Sequence, residues 1–445
     1  MARTTLTADR SAGEIGALAP ATVWRWALAL AVGAELALLA VIVLAAGPHN
    51  AWMVPASRHG FPDWMHGPLS GLGLDLTPGR LSALLAAMTF AYGVAIVAAG
   101  RSRARWPLAA AAGALALVAL APPLLSADAF AYIAWGRMGA RGLDPYSHLA
   151  LAVGATDPAA PFQLWHHGTT PYGPLFTLGG YALAPLSVAA ALWSLKAIAG
   201  AAAIACAALL HRAASVLGRP PLRAVLVFAL NPLVLVYAVG GAHNDLLVAA
   251  VLAAAALAFA TGRSSRAAAA VVVAGAVKAS AVVALPFAIA GAPRGSRRAA
   301  LTAGIGAGAA IAALGLAAFG LPVASLAHVL GMQQSLVAHA SFPAALARLL
   351  GLGAVTSAER LVLTAALAIV AVALLARVWS GRMEWVAATG WAFLALLVTT
   401  TWLLPWYVTW ALPFVAVAVD RRLVAAAVAL TLAIVVVRSP LAAAL

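Results

Sequence analysis

The stretch Ser126-Ala-Asp128-Ala-Phe-Ala-Tyr132-Ile-Ala-Trp135-Gly-Arg137 sets a carboxylate directly behind an apolar run, where a membrane helix should reach water. A carboxylate at that depth is partly desolvated yet still meets a polar substrate, which suits a general base. Tyr132 and Trp135 follow at i+4 and i+7, so a helix would present Asp128 and two aromatic rings on one face. Sugars are commonly bound by that combination. Asp128 is therefore the leading catalytic candidate.

The same segment, 126–187, also carries Arg137, Arg141, Asp144-Pro-Tyr146, His148, Asp157, Trp165, His166, His167 and Pro171-Tyr172-Gly-Pro174. A second cluster, Gly240-Gly-Ala-His243-Asn244-Asp245, falls in a very short turn between two apolar runs. Asn244 or Asp245 could cap the following helix, but a cap does not need three polar side chains, and a substrate role accounts for all of them. A third cluster, Trp402-Leu-Leu-Pro-Trp406-Tyr407 with Trp410, either marks the membrane interface or contacts lipid and sugar.

Of the 27 basic residues only Lys196 and Lys278 are lysines, and both lie inside apolar runs. Lys278 either snorkels, pairs with a carboxylate such as Glu35, or marks a site, and its position favours the site. Glu35 reads as a buried, hydrogen-bonded structural group. Adjacent histidines point differently and no HExxH pair occurs, so no bound metal or other cofactor is expected. Neither a GxxxxGK[ST] phosphate loop nor a GxGxxG unit is present, so a nucleotide donor has no visible binding apparatus.

These residues must be positioned by membrane helices. With 64% apolar and 9% charged residues over 445 positions, the chain cannot hide its apolar surface in a soluble core. The net charge of +15 falls largely in short arginine clusters between apolar runs, the pattern of cytoplasmic loops rather than of a nucleic-acid partner. Cys206 has no second cysteine to pair with and reads as a small buried hydrophobe.

Apolar spans of about 17 to 24 residues fall near 24–46, 81–99, 107–125, 188–211, 223–240, 245–261, 299–319, 358–378, 385–402, 404–419 and 422–440. Arginines at 101–105, 212–223, 263–266 and 294–298 mark one face as cytoplasmic, so 47–80, 126–187, 241–245, 320–357 and 402–406 face outward. Treating 173–186 as a full crossing would invert the 212–223 cluster, so it reads as a re-entrant or juxtamembrane helix. Arginines flank 267–290 at both ends, which predicts a hairpin of two half-helices with Lys278 near its tip. Residues 1–22 read as a cytoplasmic tail and 23–445 as one membrane domain, with about 13 membrane helices if the hairpin counts as two.

At this point the motifs resemble a family. The Asp128 segment, Gly-Arg137, Gly-Leu-Asp144-Pro-Tyr146, Pro171-Tyr-Gly-Pro174, Asn231-Pro, Gly-Gly-Ala-His243-Asn244-Asp245 and Pro405-Trp406-Tyr407, in that order, look like actinobacterial α-1,6-mannosyltransferases that use polyprenyl-phosphate mannose. Those belong to the GT-C class of integral-membrane glycosyltransferases, so an all-α GT-C fold is expected. The resemblance implies Asp128 as base, inversion at the anomeric carbon, and a glycolipid or mannan acceptor on the outer face of the plasma membrane. On this reading Lys278, Arg137 and Arg141 meet the donor phosphate. Tyr132, Asp144, Tyr146, Tyr172, His243, Asn244, Asp245, Trp406 and Tyr407 contact sugar or donor. A transferase for another lipid-linked sugar, or a lipid or sugar transporter, are the rivals; a transporter would commonly repeat its broken helices in two halves, and no second hairpin is evident.

Overall fold

Apolar side chains on nearly every face force the backbone to close its own hydrogen bonds, and the chain answers with helices. A computed structural model describes residues 21–438 except 56, 58, 59 and 166; the expected tail at 1–22 thus lies almost wholly outside the described residues. Among these residues the only strand-like pairing is an isolated bridge between Ser57 and Gly60.

The order is α1 (Ala21–Ala45), α2 (Pro78–Ala99), α3 (Trp106–Ala119), α4 (Asp128–Gly139), α5 (Pro174–Leu183), α6 (Val188–Val216), α7 (Pro221–Ala229), α8 (Asp245–Ala260) and α9 (Ser264–Val277). Then come α10 (Leu285–Gly291), α11 (Arg297–Phe319), α12 (Leu326–Ser335), α13 (Phe342–Leu349), α14 (Ser357–Trp379), α15 (Trp385–Thr399), α16 (Leu412–Val417) and α17 (Arg421–Val437). Among the described residues five helices are long and apolar enough to cross a membrane, or six if α7 and the π-helical Leu233–Val239 count as one span bent by 51°. The bend falls at Pro232, whose ring and missing N–H interrupt the helix, and the Asn231 side chain caps the next segment by accepting from the Leu233 and Val234 amides. Several other apolar helices are shorter, among them α8, α9 and α15.

Burial separates inner from outer helices. Every residue of α16 is buried, whereas in α14 Val378 alone is, so α14 turns its leucines and valines outward. α5 has ten residues, too few to cross, and packs along α4, in keeping with the juxtamembrane reading of 173–186. The 267–290 run breaks at Lys278. Ala268 near its start and Ala292 just past its end pack into one cluster with Ala300, so the two limbs return to the same level as a hairpin. Lys278 sits at the tip. Glu35 departs from expectation: it is buried, and neither carboxylate oxygen has a hydrogen-bond partner among the described residues.

Candidate functional site

Asp128 is the first residue of α4, where unpaired helix N–H groups favour a negative charge. Its own amide donates to Ser126 Oγ at 3.2 Å. The chain enters this helix through Leu125, held at φ 56°, a left-handed conformation that costs a non-glycine residue roughly 1–2 kcal/mol. The Leu125 amide is fixed by the Met53 carbonyl at 2.7 Å, and that of Leu124 by the Gly240 carbonyl at 3.0 Å. Asp128 Oδ1 accepts from Trp165 Nε1 at 3.0 Å, and Oδ2 lies 3.6 Å from His243 Nδ1. Burial pushes the Asp128 carboxyl up, Trp165 and Lys278 pull it down, Asp245 adds to the rise, and the net displacement is upward.

The partner turn is built with similar constraint. Ala242 also sits at φ 56°, immediately before His243. The buried Lys196 ammonium of α6 donates to three carbonyls, those of Val118 at 2.9 Å, Gly240 at 2.9 Å and Val239 at 3.4 Å. It thereby ties the end of α3, which leads to Asp128, to the segment that leads to His243. His243 stacks on Trp406 with ring centroids 3.6 Å apart, and its Nδ1 lies 3.4 Å from the Tyr132 hydroxyl. Burial, then the charges of Lys278 and Lys196, hold its imidazole well below the ordinary histidine range, so it is neutral at neutral pH. Asn244 is buried with no hydrogen-bond partner for its side-chain amide among the described residues.

Asp245 opens α8 with a fully buried carboxylate. Lys278 Nζ donates to its Oδ1 at 2.8 Å and its Oδ2 at 2.9 Å, and Trp410 Nε1 donates to Oδ1 at 2.6 Å. The partner of Lys278 is thus Asp245 and not Glu35. The ammonium also lies 4.6 Å from the Tyr407 ring centroid, 5.4 Å from that of Trp410 and 5.7 Å from that of Tyr172. The Pro171-Tyr-Gly-Pro174 motif brings Tyr172 there. The Gly173 amide donates to the Val277 carbonyl at 3.1 Å, and a Cβ at Gly173 would stand 2.2 Å from the Ala276 carbonyl oxygen, so only glycine permits this approach.

Asp128, Tyr172, Lys278, Trp406 and Tyr407 line one cavity of about 490 Å³, together with Trp135, Trp165, Ser280, Trp402 and Trp410. α12 adds Val329, Leu330, Met332 and Gln333 to the lining, with Leu336 after it. The lining thus joins a carboxylate, an ammonium, several aromatic rings and aliphatic side chains.

Other expected residues lie elsewhere. Arg137 and Arg141 do not line the cavity, because buried Asp157 draws both, Arg137 Nε at 2.8 Å and Arg141 Nη2 at 2.9 Å. That corrects their assignment to the donor phosphate. Asp144 is occupied by its own turn, accepting from the Tyr146 and Ser147 amides and the Ser147 hydroxyl. Tyr146 is buried and donates to the Tyr172 carbonyl at 3.0 Å, bracing the cavity from behind. Tyr132 and His243 likewise stand behind the lining. Sequence reasoning underrated Trp165 and Lys196 and missed Ser280 and α12. Ser280, two residues past Lys278, has a hydroxyl with no hydrogen-bond partner among the described residues, and its spacing from that lysine was the available signal.

A bundle of apolar helices with several candidate membrane spans, holding a carboxylate, an ammonium and a set of tryptophans and tyrosines in one cavity, defines an integral-membrane protein. The chain belongs to the alpha-(1->6)-mannopyranosyltransferase family: residues 31–293 match that family's N-terminal domain and residues 334–445 match the MptB C-terminal domain. It is a glycosyltransferase. Alpha-(1->6)-mannopyranosyltransferase A of Mycobacterium tuberculosis is 31% identical over 359 residues, 73% of this chain and 68% of that protein. The alpha-(1->6)-mannopyranosyltransferase A of Corynebacterium glutamicum is 28% identical over 179 residues, covering 38% and 35% of the two chains. A second Mycobacterium tuberculosis protein of that activity, Rv1459c, is 34% identical over 137 residues, 29% of this chain and 23% of its own length. No solved structure matches the chain.

Proposed function

We propose that the enzyme moves mannose from polyprenyl-phosphate mannose to an α-1,6-mannan or lipomannan-type acceptor, with inversion, on the outer face of the plasma membrane. The observation that carries this reading is the shared cavity: the base candidate Asp128 and the cation Lys278 line the same space, among aromatic and aliphatic side chains. The acceptor hydroxyl attacks the anomeric carbon and gives its proton to Asp128 as the bond from that carbon to the phosphate oxygen breaks. Polyprenyl phosphate leaves as an anion and needs no proton from the protein. Lys278 has three N–H groups and gives two to Asp245, which leaves one for the phosphate. Among the described residues it is the only lysine or arginine lining the cavity.

A GT-C architecture of about 13 membrane segments accommodates the short helices as broken crossings around the site. Arginine placement argues for a cytoplasmic N-terminus and an outward cavity. The test is transfer of labelled mannose from polyprenyl-phosphate mannose to a short α-1,6-mannoside by purified enzyme. Asp128→Asn should lower turnover by about 10²–10⁴-fold with donor binding retained, and Lys278→Met should weaken donor binding by about ten- to a hundredfold. Near-normal turnover by Asp128→Asn would remove it as the base, and no product from the wild type would reject the donor or the acceptor.

A further inference from the structure

The bundle holds a second built cavity at the end opposite Asp128. α8 carries Asp245 at one end and lines this cavity with Ala256, Phe259 and Ala260 at the other, so the two sites stand about 22 Å apart along a 16-residue helix. The space is about 330 Å³ and lies among the turns after α6, α8, α10 and α14. Three arginines, Arg219, Arg294 and Arg297, line it together with one carboxylate, Glu384, which pairs with Arg219. Arg297 is preorganised: its Nε donates to the Ala292 carbonyl and its Nη2 to the Trp379 carbonyl, each at 3.1 Å, with the guanidinium 4.0 Å from the Trp379 ring centroid. Arg219 is tied to Glu384 and to the Val417 carbonyl. Arg294, exposed on the turn before α11, makes no hydrogen bond or ion pair among the described residues.

We propose that this cavity binds the phosphate-bearing headgroup of an anionic phospholipid. Guanidinium groups match phosphate oxygens bidentately, and two of these three are already fixed by backbone carbonyls, so little ordering is needed on binding. Trp379 is 57% exposed and suits the interface level at which a headgroup sits. Basic pockets between membrane helices are a recurrent setting for such headgroups. The floor of the cavity is Ala290–Ala292, the base of the hairpin whose tip is Lys278. Headgroup binding would therefore brace the element that presents Lys278.

Native mass spectrometry of the intact purified protein tests this with phosphatidylglycerol, phosphatidylcholine and inorganic phosphate as separate probes. Phosphatidylglycerol should be retained over phosphatidylcholine, and Arg294→Glu should weaken its retention about tenfold or more, since each charge near an anionic headgroup is worth roughly fivefold. Arg103→Glu makes the same charge change on an exposed loop at this end of the bundle but outside the cavity, and should leave retention unchanged. Equal retention of the two lipids, or an equal loss from Arg103→Glu, would overturn the site. Displacement of the lipid by an equal concentration of inorganic phosphate would assign the site to a soluble anion and overturn the lipid reading. The readout is binding, so it stands whether or not mannose transfer is observed.

Discussion

Asp128 is held by groups that pull its titration in opposite directions. Burial favours the neutral acid, while the Trp165 hydrogen bond and the Lys278 charge favour the carboxylate. Turnover needs the carboxylate, so the rate should fall as pH drops through a value above the ordinary carboxylate range. Trp165→Phe removes a donor to the ionised form and should move that acid limb to still higher pH, read from kcat/KM against pH. A limb that stays in place would mean Trp165 does not tune the base. His243 is 3.6 Å from the same carboxylate but stays neutral, so it sets no positive charge against Asp128. Asp128 was legible in the sequence because it follows an apolar run. Its hydrogen bond to Trp165, 37 positions away, was not, because no local pattern encodes that separation.

The elements that meet at the site are held by a buried cation with no carboxylate partner among the described residues. Each carbonyl that accepts from Lys196 also accepts from a backbone amide: Val118 from Ala121, Val239 from Ala242 and Gly240 from Leu124. Lys196→Met therefore strands no backbone acceptor and replaces a buried polar head with an apolar one, so little loss of stability is expected. Its expected effect is on catalysis. The α3 and Leu233–Val239 segments lose their tie, Asp128 and His243 drift, and kcat should fall by about tenfold, equivalent to about 1.4 kcal/mol in the transition state. Thermal unfolding measured beside kcat distinguishes this from misfolding: a large drop in Tm would make Lys196 structural. The hairpin at 264–291 was readable from its flanking arginines, and so was the tip position of Lys278. That its partner is Asp245 followed only from the docking of α8 against α9.

Over the described residues, α11 and α14 present apolar side chains outward while every residue of α16 is buried. Orientation is tested by a single cysteine. Cys206 is fully buried and should be silent, and Leu164 beside the cavity is 73% exposed. Leu164→Cys should react with a membrane-impermeant thiol reagent in intact cells; labelling only after permeabilisation would place the cavity on the cytoplasmic side.

Composition and arginine spacing by themselves determined a helical membrane protein, the approximate helix limits, the broken run at Lys278 and the residues able to do chemistry. They did so because hydropathy, charge placement and helical period are local properties of the chain. Only the tertiary structure decided which of those residues share a space. Arg137 and Arg141 carry the same charge as Lys278, yet Asp157 draws them away, whereas the Gly173 contact with the hairpin leaves Lys278 facing the cavity. The place of α12 in the lining likewise had no signature in sequence, because a short apolar helix lines a site only when the fold docks it there.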